Sequence, residues 1–505
     1  MNRLVFLSAA LAGLACLGCG AASSDRPNIV LVVVDTLRGD APLRAELDTP
    51  EFDRLAEDGI VFPHAFSHAP MTLPSHTALF SSRPPFRTGV LNNWQEVPSE
   101  LPLFAEWLQK AGYQTRAVVS LGTLNPRGDE VALDRGFDSY DVDYWHMDLA
   151  SAAVERIRAT LDAFEPDDPF FLFAHFSDPH APYNDHAGER TATVMLDGET
   201  IDQPRTSVMS QKFHSLSLEP GRHTVELRSD EEFRVRDLAM VLPEGGYLKL
   251  EYEEGERMKP TLYARATVEV KQPVDATLRY WLSEVHPEKD IPARYIGEVE
   301  WMQAHIGALI DELQARGMWD DAIVVFTSDH GEALGERNVY GHVQNLYDEM
   351  LHVPLVIKPA DPLAHTETLR ARSDDQIAHL DLVPTLLDMA GLPPLPGATG
   401  VSLFDGRTDV LIAQTHKPEA LRDSLCMRDA AFKMIYWPEE DEFEMYDLAS
   451  DPEEQKDVFG ARSGERPGWA DQLRGLASIA KANQGGPEAS EETQAMLEAL
   501  GYAGD

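Results

Sequence analysis

Two segments far apart in the chain are built alike, and they constrain the fold more than any other feature. Residues 26–40 read RPNIVLVVVDTLRGD and residues 322–336 read AIVVFTSDHGEALGE. Each is a β-branched apolar run of the kind that forms a strand buried on both faces of a parallel sheet. Each ends in metal-ligand chemistry, with Asp35 closing the first and Asp329 with His330 closing the second. In an open α/β sheet, side chains just past the carboxyl ends of the strands converge on one crevice. Two carboxylates and an imidazole meeting there make a donor set for a divalent cation. One aspartate after a strand is commonly a turn residue, but two such ends, one carrying Asp-His before a glycine, favour the metal reading.

A third segment, residues 67–90, reads SHAPMTLPSHTALFSSRPPFRTGV. Pro74 sits where proline is tolerated, in the first turn of a helix over SHTALF. The unpaired N–H groups and dipole of that turn favour a bound anion. A hydroxyl at the helix mouth, Thr72, is placed to attack the central atom of an anionic ester. Bound to a metal, that hydroxyl loses its proton more easily and becomes a competent nucleophile. The competing role for Thr72 is a helix cap.

These segments are joined by others at regular positions: LAEDGIVFPHAFS (55–67), FAEWLQKAGYQTRAVVS (104–120), FFLFAHFSDPHAPY (170–183), YGHVQNLYDEMLHVPLVI (340–357), LDLVPTLLDMAGLP (380–393) and EMYDLASDPEEQKDV (444–458). Together they resemble the sulfatase branch of the alkaline phosphatase superfamily. The resemblance implies an α/β fold, a three-layer sandwich with a largely parallel central sheet, and an ester hydrolase. It implies that Asp35, Asp329, His330 and Thr72 hold the metal, with Thr72 also the nucleophile. His180 and His342 fall at positions for substrate contact and leaving-group protonation, a task suited to imidazole near neutral pH. His76 is a candidate substrate contact, with solvent exposure on its helix as the alternative, while His175 and His352 beside apolar runs read as structural.

The departures from the family pattern redirect the chemistry. Sulfatases convert a Cys or Ser to formylglycine, and Thr72 cannot be oxidised to that aldehyde, so no formylglycine is expected. His76 replaces the signature arginine, and VSLGTL (119–124) lacks the family's lysine and histidine that grip sulfate. Asp35-Thr36 stands where two aspartates are common, and Asp329-His330 where calcium sulfatases carry Asp-Asn. Fewer carboxylates and an added imidazole favour zinc or manganese, with calcium still admitted. Threonine nucleophiles beside Asp-His pairs resemble phosphodiesterases, phosphonate hydrolases and phosphoethanolamine transferases, which places phosphorus esters ahead of sulfate. The alternatives are a phosphoryl-headgroup transferase and a catalytically inactive sulfatase-fold binding protein.

The net charge of −42, from 85 acidic against 43 basic residues, excludes nucleic acid and anionic membrane surfaces as partners. A small-molecule, glycan or lipid-linked anionic ester remains compatible, because a metal and a helix N-terminus dominate the local field. Residues 1–25, opening MNRLVFLSAALAGLACLGCG, read as a signal peptide or lipoprotein leader, with a lipid anchor at Cys19 in preference to Cys16. An exported protein of the bacterial periplasm or cell envelope follows. Cys426 is the one other cysteine, which leaves no disulfide framework and assigns metal ligation to carboxylate and imidazole.

The α/β texture runs over 26–185 and resumes over 291–405. Between them, 186–290 is a series of short alternating runs separated by Gly, Pro and charged turns, the pattern of an inserted β-sandwich. Residues 406–460 read as a small antiparallel subdomain, and 461–505 as a polar tail whose short helix lies in SEETQAMLEALGYAGD.

Overall fold

The computed structural model describes residues 26–483 except 42–46, 48, 94, 126–131, 143–148, 167, 182, 185, 187–190, 207–209, 244–245, 256–258 and 286–287. The leader with Cys19 and the helix expected within 490–505 lie outside the described residues. Seven strands form the central sheet: β1 (Asn28–Val34), β2 (Ile60–Val61), β3 (Gln114–Val119), β4 (Ser139–Val142), β5 (Phe170–Phe176), β6 (Ala322–Ser328) and β7 (Leu355–Lys358). Their spatial order is β2-β7-β6-β1-β5-β3-β4. The run β6-β1-β5-β3-β4 is parallel throughout; β7 runs antiparallel to it, and the edge strand β2, antiparallel to β7, returns to the common direction.

Both faces of the sheet are apolar because successive side chains alternate between them. Ile29, Leu31 and Val33 join Phe171, Phe173, Ile323 and Val325 on one face, under helix α1 (Thr72–Ser81) through Leu79 and Phe80. Val30, Val32 and Val34 join Leu172, Val324 and Phe326 on the other, under α2 (Ala150–Leu161) and α3 (Ile291–Ala315). This is the three-layer α/β sandwich that the sequence pattern requires.

The strands between Thr193 and Glu284 form a separate eight-stranded sheet with its own apolar cluster. Its long strand, Gly221–Val241, pairs with Pro260–Val270 along its first part and with Val274–Glu284 along its last. Register shifts between Arg228 and Phe233 and between Val235 and Asp237 accompany the change of partner, and such bulges bend and twist the strand that carries them.

Four antiparallel strands, Leu411–Thr415, Ser424–Arg428, Phe432–Trp437 and Glu442–Asp447, follow the catalytic layers. Here the chain departs from the reading of a polar tail beyond 460. Residues Trp469–Asn483 form a helix that buries Trp469, Leu473, Leu476 and Ile479 against Ile412, Met427 and Met434. The apolar residues recur at helical spacing, but Asp, Arg, Ser and Lys between them lower the average polarity signal that distinguishes a packed helix from a tail. No described helix is long and apolar enough to cross a membrane.

Candidate active site

The two aspartate-terminated strands are nearest neighbours. Val33 pairs with Thr327 and Val34 with Ser328, so Asp35 and Asp329 leave the sheet side by side. Asp35 N donates to Phe176 O at 2.8 Å, Leu37 N to Ser328 Oγ at 2.9 Å and Thr36 N to Asp329 Oδ1 at 3.2 Å. This lacing holds Thr36 at φ 58°, a conformation costly for a β-branched residue. At the second strand end, a Cβ on Gly331 would stand 2.2 Å from Glu349 O, so glycine is needed for the turn to pack.

Helix α1 delivers the hydroxyl. Thr72 is its first residue, after Met71 at the cap position, and Ser75 Oγ anchors the helix by donating to Asp329 O at 2.6 Å. Thr72 Oγ1 then lies 3.5 Å from Asp35 Oδ2. Ligand atoms of Asp35, Asp329 and His330 all fall within 4.8 Å of one another, and all three residues are buried. Asp35 Oδ1, Asp329 Oδ2 and His330 Nε2 have no hydrogen-bond partner.

The electrostatics of this cluster are unfavourable without a cation. Burial raises the Asp35 carboxyl well above its usual range, and repulsion from Asp329 and Glu332 adds to it. Burial also raises Asp329 and depresses His330, whose neighbouring histidines push in the same direction. The contacts of His330 Nε2 with Asp329 at 3.5 Å and Asp35 at 3.8 Å are therefore not ion pairs. A divalent cation would invert the preference of both carboxyls and suit that of His330, since it demands ionised carboxylates and a neutral imidazole. The donor set fits such an ion, and His330 Nδ1, which meets Gly331 O at 2.9 Å, leaves Nε2 for ligation.

His76 is fully buried, which excludes the solvent-facing alternative. Its Nδ1 donates to Thr72 O at 2.8 Å and lies 3.6 Å from Asp329 Oδ2, while burial depresses its imidazole to about 4. His180 and His342 occupy the opposite side. The His342 ring lies 4.7 Å from that of His330 and 4.9 Å from that of His180. Burial opposes a charge on His342, yet Glu332 and Asp329 outweigh it and raise the imidazole above its ordinary value.

Sequence reasoning passed over several neighbours. His175, read as structural, lies with Nε2 4.0 Å from Asp35 Oδ2 and its ring 5.1 Å from that of His76. His352 stands away from the cluster, its Nε2 on Pro63 O. Glu332, in the DHGE stretch, and Tyr183, in DPHAPY, meet behind His342. The available signal was a carboxylate two residues after a ligand histidine. A second acidic group joins Asp178, Glu298 and His186 within 4.8 Å. Its members satisfy one another: Asp178 hydrogen-bonds Glu298, Glu298 meets His186 Nε2 at 2.9 Å and accepts from Asn184 N, and Asp178 accepts from Ala150 N at 2.7 Å. Burial raises Asp178 and pushes Glu298 up to about 7, so burial favours the protonated form of both carboxyls.

Comparison with known proteins bears on this arrangement. Among solved structures, one in complex with its substrate D-glucosamine-2-N,6-O-disulfate aligns with a TM-score of 0.61 at 19% identity, covering 91% of this chain and 99% of that one. The phosphonate monoester hydrolase of Agrobacterium radiobacter aligns at 0.57 and 19%, covering 90% and 96%. The fold is thus the one that these structures share. Residues 27–392 match the family model Sulfatase, and residues 335–466 match N-sulphoglucosamine sulphohydrolase, C-terminal; the chain belongs to the sulfatase family of ester hydrolases. Curated relatives include N-acetylglucosamine-6-O-sulfatase of Bacteroides thetaiotaomicron, 24% identical over 91% of this chain and 87% of its own length. Choline-sulfatase of Rhizobium meliloti is 24% identical over 85% and 82%.

Proposed function

We propose that this protein is an exported, metal-dependent hydrolase of anionic esters that uses Thr72 as nucleophile, with phosphate or phosphonate esters ahead of sulfate. The observation that carries the reading is Thr72 Oγ1 beside Asp35 in a buried group whose outward ligand atoms are unpartnered. Asp35, Asp329 and His330 would hold a divalent cation, zinc or manganese by donor type, with Thr72 as a further ligand. Such an ion supplies charge to a nonbridging ester oxygen and acidifies the Thr72 hydroxyl. Thr72 Oγ1 releases its proton to solvent and forms a bond to phosphorus or sulfur as the bond to the leaving oxygen breaks. His342, with His180 beside it, gives that oxygen its proton. Water then cleaves the threonine ester and frees the acid. His76 orients the first turn of α1 through the Thr72 carbonyl. The leader at 1–25 and the lipid anchor at Cys19 belong to this reading as an envelope location.

A second reading is favoured by the relatives, whose names specify sulfate esters of an amino sugar and of choline. In it the same residues cleave a sulfate ester on a glycan without formylglycine. Both readings are tested by turnover of matched aryl phosphate, phosphonate and sulfate esters with zinc, manganese or calcium. Thr72→Ala should lower kcat by about 10³-fold or more on the preferred ester. Retained turnover in that variant would sink the nucleophile assignment, and sulfate cleavage alone would replace the first reading with the second.

A further inference from the structure

Glu332 is completely buried, yet among the described residues it is neither a member of the ligand cluster nor part of an ion pair with Lys or Arg. Its two carboxylate oxygens serve two different segments. Oε1 accepts from Tyr183 Oη at 2.9 Å, and Oε2 meets His342 Nδ1 at 3.0 Å. Its own carbonyl oxygen accepts from Arg38 at 3.0 Å, which ties the residue to the first strand end. A carboxylate only accepts, so in the short contact His342 Nδ1–H is the donor, and the proton available for transfer is the second one of the imidazolium, on Nε2. The opposite nitrogen, Nε2, is then the one left to face the reacting ester. Tyr183 belongs to the same turn as His180, so one carboxylate spans the two segments that carry both histidines.

We infer that Glu332 is the positioning residue for leaving-group protonation: through Tyr183 and His342 Nδ1 it holds His342 Nε2 towards the departing oxygen. This rests on the proposed role of His342. Glu332 touches no substrate, and its effect is on how well a proton reaches the leaving group. The consequence is selectivity by leaving group. An ester whose departing oxygen is weakly basic, such as 4-nitrophenolate, needs little protonation, whereas phenolate or an alkoxide needs it fully.

The test compares phenyl with 4-nitrophenyl esters of the preferred acid, using the full metal-loaded protein. Glu332→Gln should lose more turnover on the phenyl ester than on the nitrophenyl ester, by about 10–100-fold, the usual scale for a residue that orients a functional histidine. Tyr183→Phe, which keeps the carboxylate, should show the same bias more weakly. His342→Ala combined with Glu332→Gln should add nothing to His342→Ala alone. Equal losses on both esters, or additive losses in the double variant, would overturn the inference. A second readout is independent of turnover: ¹⁵N ring shifts should place the His342 proton on Nδ1 in the parent protein and redistribute it in Glu332→Gln. Unchanged ring shifts overturn the positioning role. If the parent cleaves no ester but the shifts move as stated, the positioning stands and the proposed function falls.

Discussion

Two buried acidic regions of this molecule treat charge in opposite ways. In the crevice, burial raises the carboxyls of Asp35 and Asp329 and depresses the imidazoles of His330, His76 and His175 around them. At the junction with the C-terminal sheet, Asp348 is held by Arg428 at 3.0 Å and by Lys433 at 2.8 Å, and Lys433 also reaches Glu454 at 3.0 Å. Burial opposes ionisation there too, but Arg428 and Lys433 outweigh it and keep Asp348 below the usual carboxylate range. Lys433 itself is pushed up to about 12, since Asp348 and Glu454 overcome its burial. The junction carries its own cations and is finished when the chain folds. The crevice is built from the same residue types without cations, which distinguishes a site arranged to receive charge from one arranged to hold the fold together.

The contrast can be broken experimentally. The largest effect is expected at the junction: Lys433→Met strands Glu454, leaves Asp348 to Arg428 alone, and should cost about 3–5 kcal/mol in denaturant unfolding. A cost below about 1 kcal/mol would mean that the pair contributes no more than a surface contact. The Asp178–Glu298 pair offers an intermediate case, neutralised by a proton. Burial raises Glu298 to about 7 from its ordinary 4.5, so the folded state binds that proton more tightly than the unfolded chain. The resulting stability is full below 4.5 and fades as pH climbs through 7, on the order of 3 kcal/mol in all. Melting temperatures of the parent between pH 4 and 8 should show this fall, and Glu298→Gln should flatten it. The smallest effect is in the crevice, and its sign is the informative part. Asp35→Asn should stabilise the chelator-treated protein by about 1–2 kcal/mol, because it removes a desolvated carboxyl repelled by its neighbours. The same variant should lose the stabilisation that zinc or manganese gives the parent, read as a shift in melting temperature with added metal.

Much of the catalytic layer was legible because its signals are local. β-branched runs closed by Asp35 and by Asp329-His330 announce buried parallel strands, and those strands prove to be direct neighbours. Glu332 and His175 were not legible in the same way. Glu332 acquires its role only when Tyr183 and His342 arrive from other segments. His175 sits within an all-apolar strand, where an inward histidine looks like packing until β5 is set beside β1. The helix at Trp469–Asn483 was hidden for a different reason: its buried stripe is narrow and its remaining faces are polar.

The pairing of β1 with β6 also sets an order of assembly. β1 is synthesised early among the described residues, and β5 can cover one of its edges after residue 176. Its other edge waits for β6 at residues 322–328. At synthesis rates of about 5–20 residues per second, that edge stays open for roughly 15–60 s. An uncovered VLVVV strand over such an interval is a template for pairing with other chains. The intervening sheet at 193–284 forms from near neighbours in sequence and so closes quickly, while the crevice, which needs both strand ends, is among the last features of the molecule to exist.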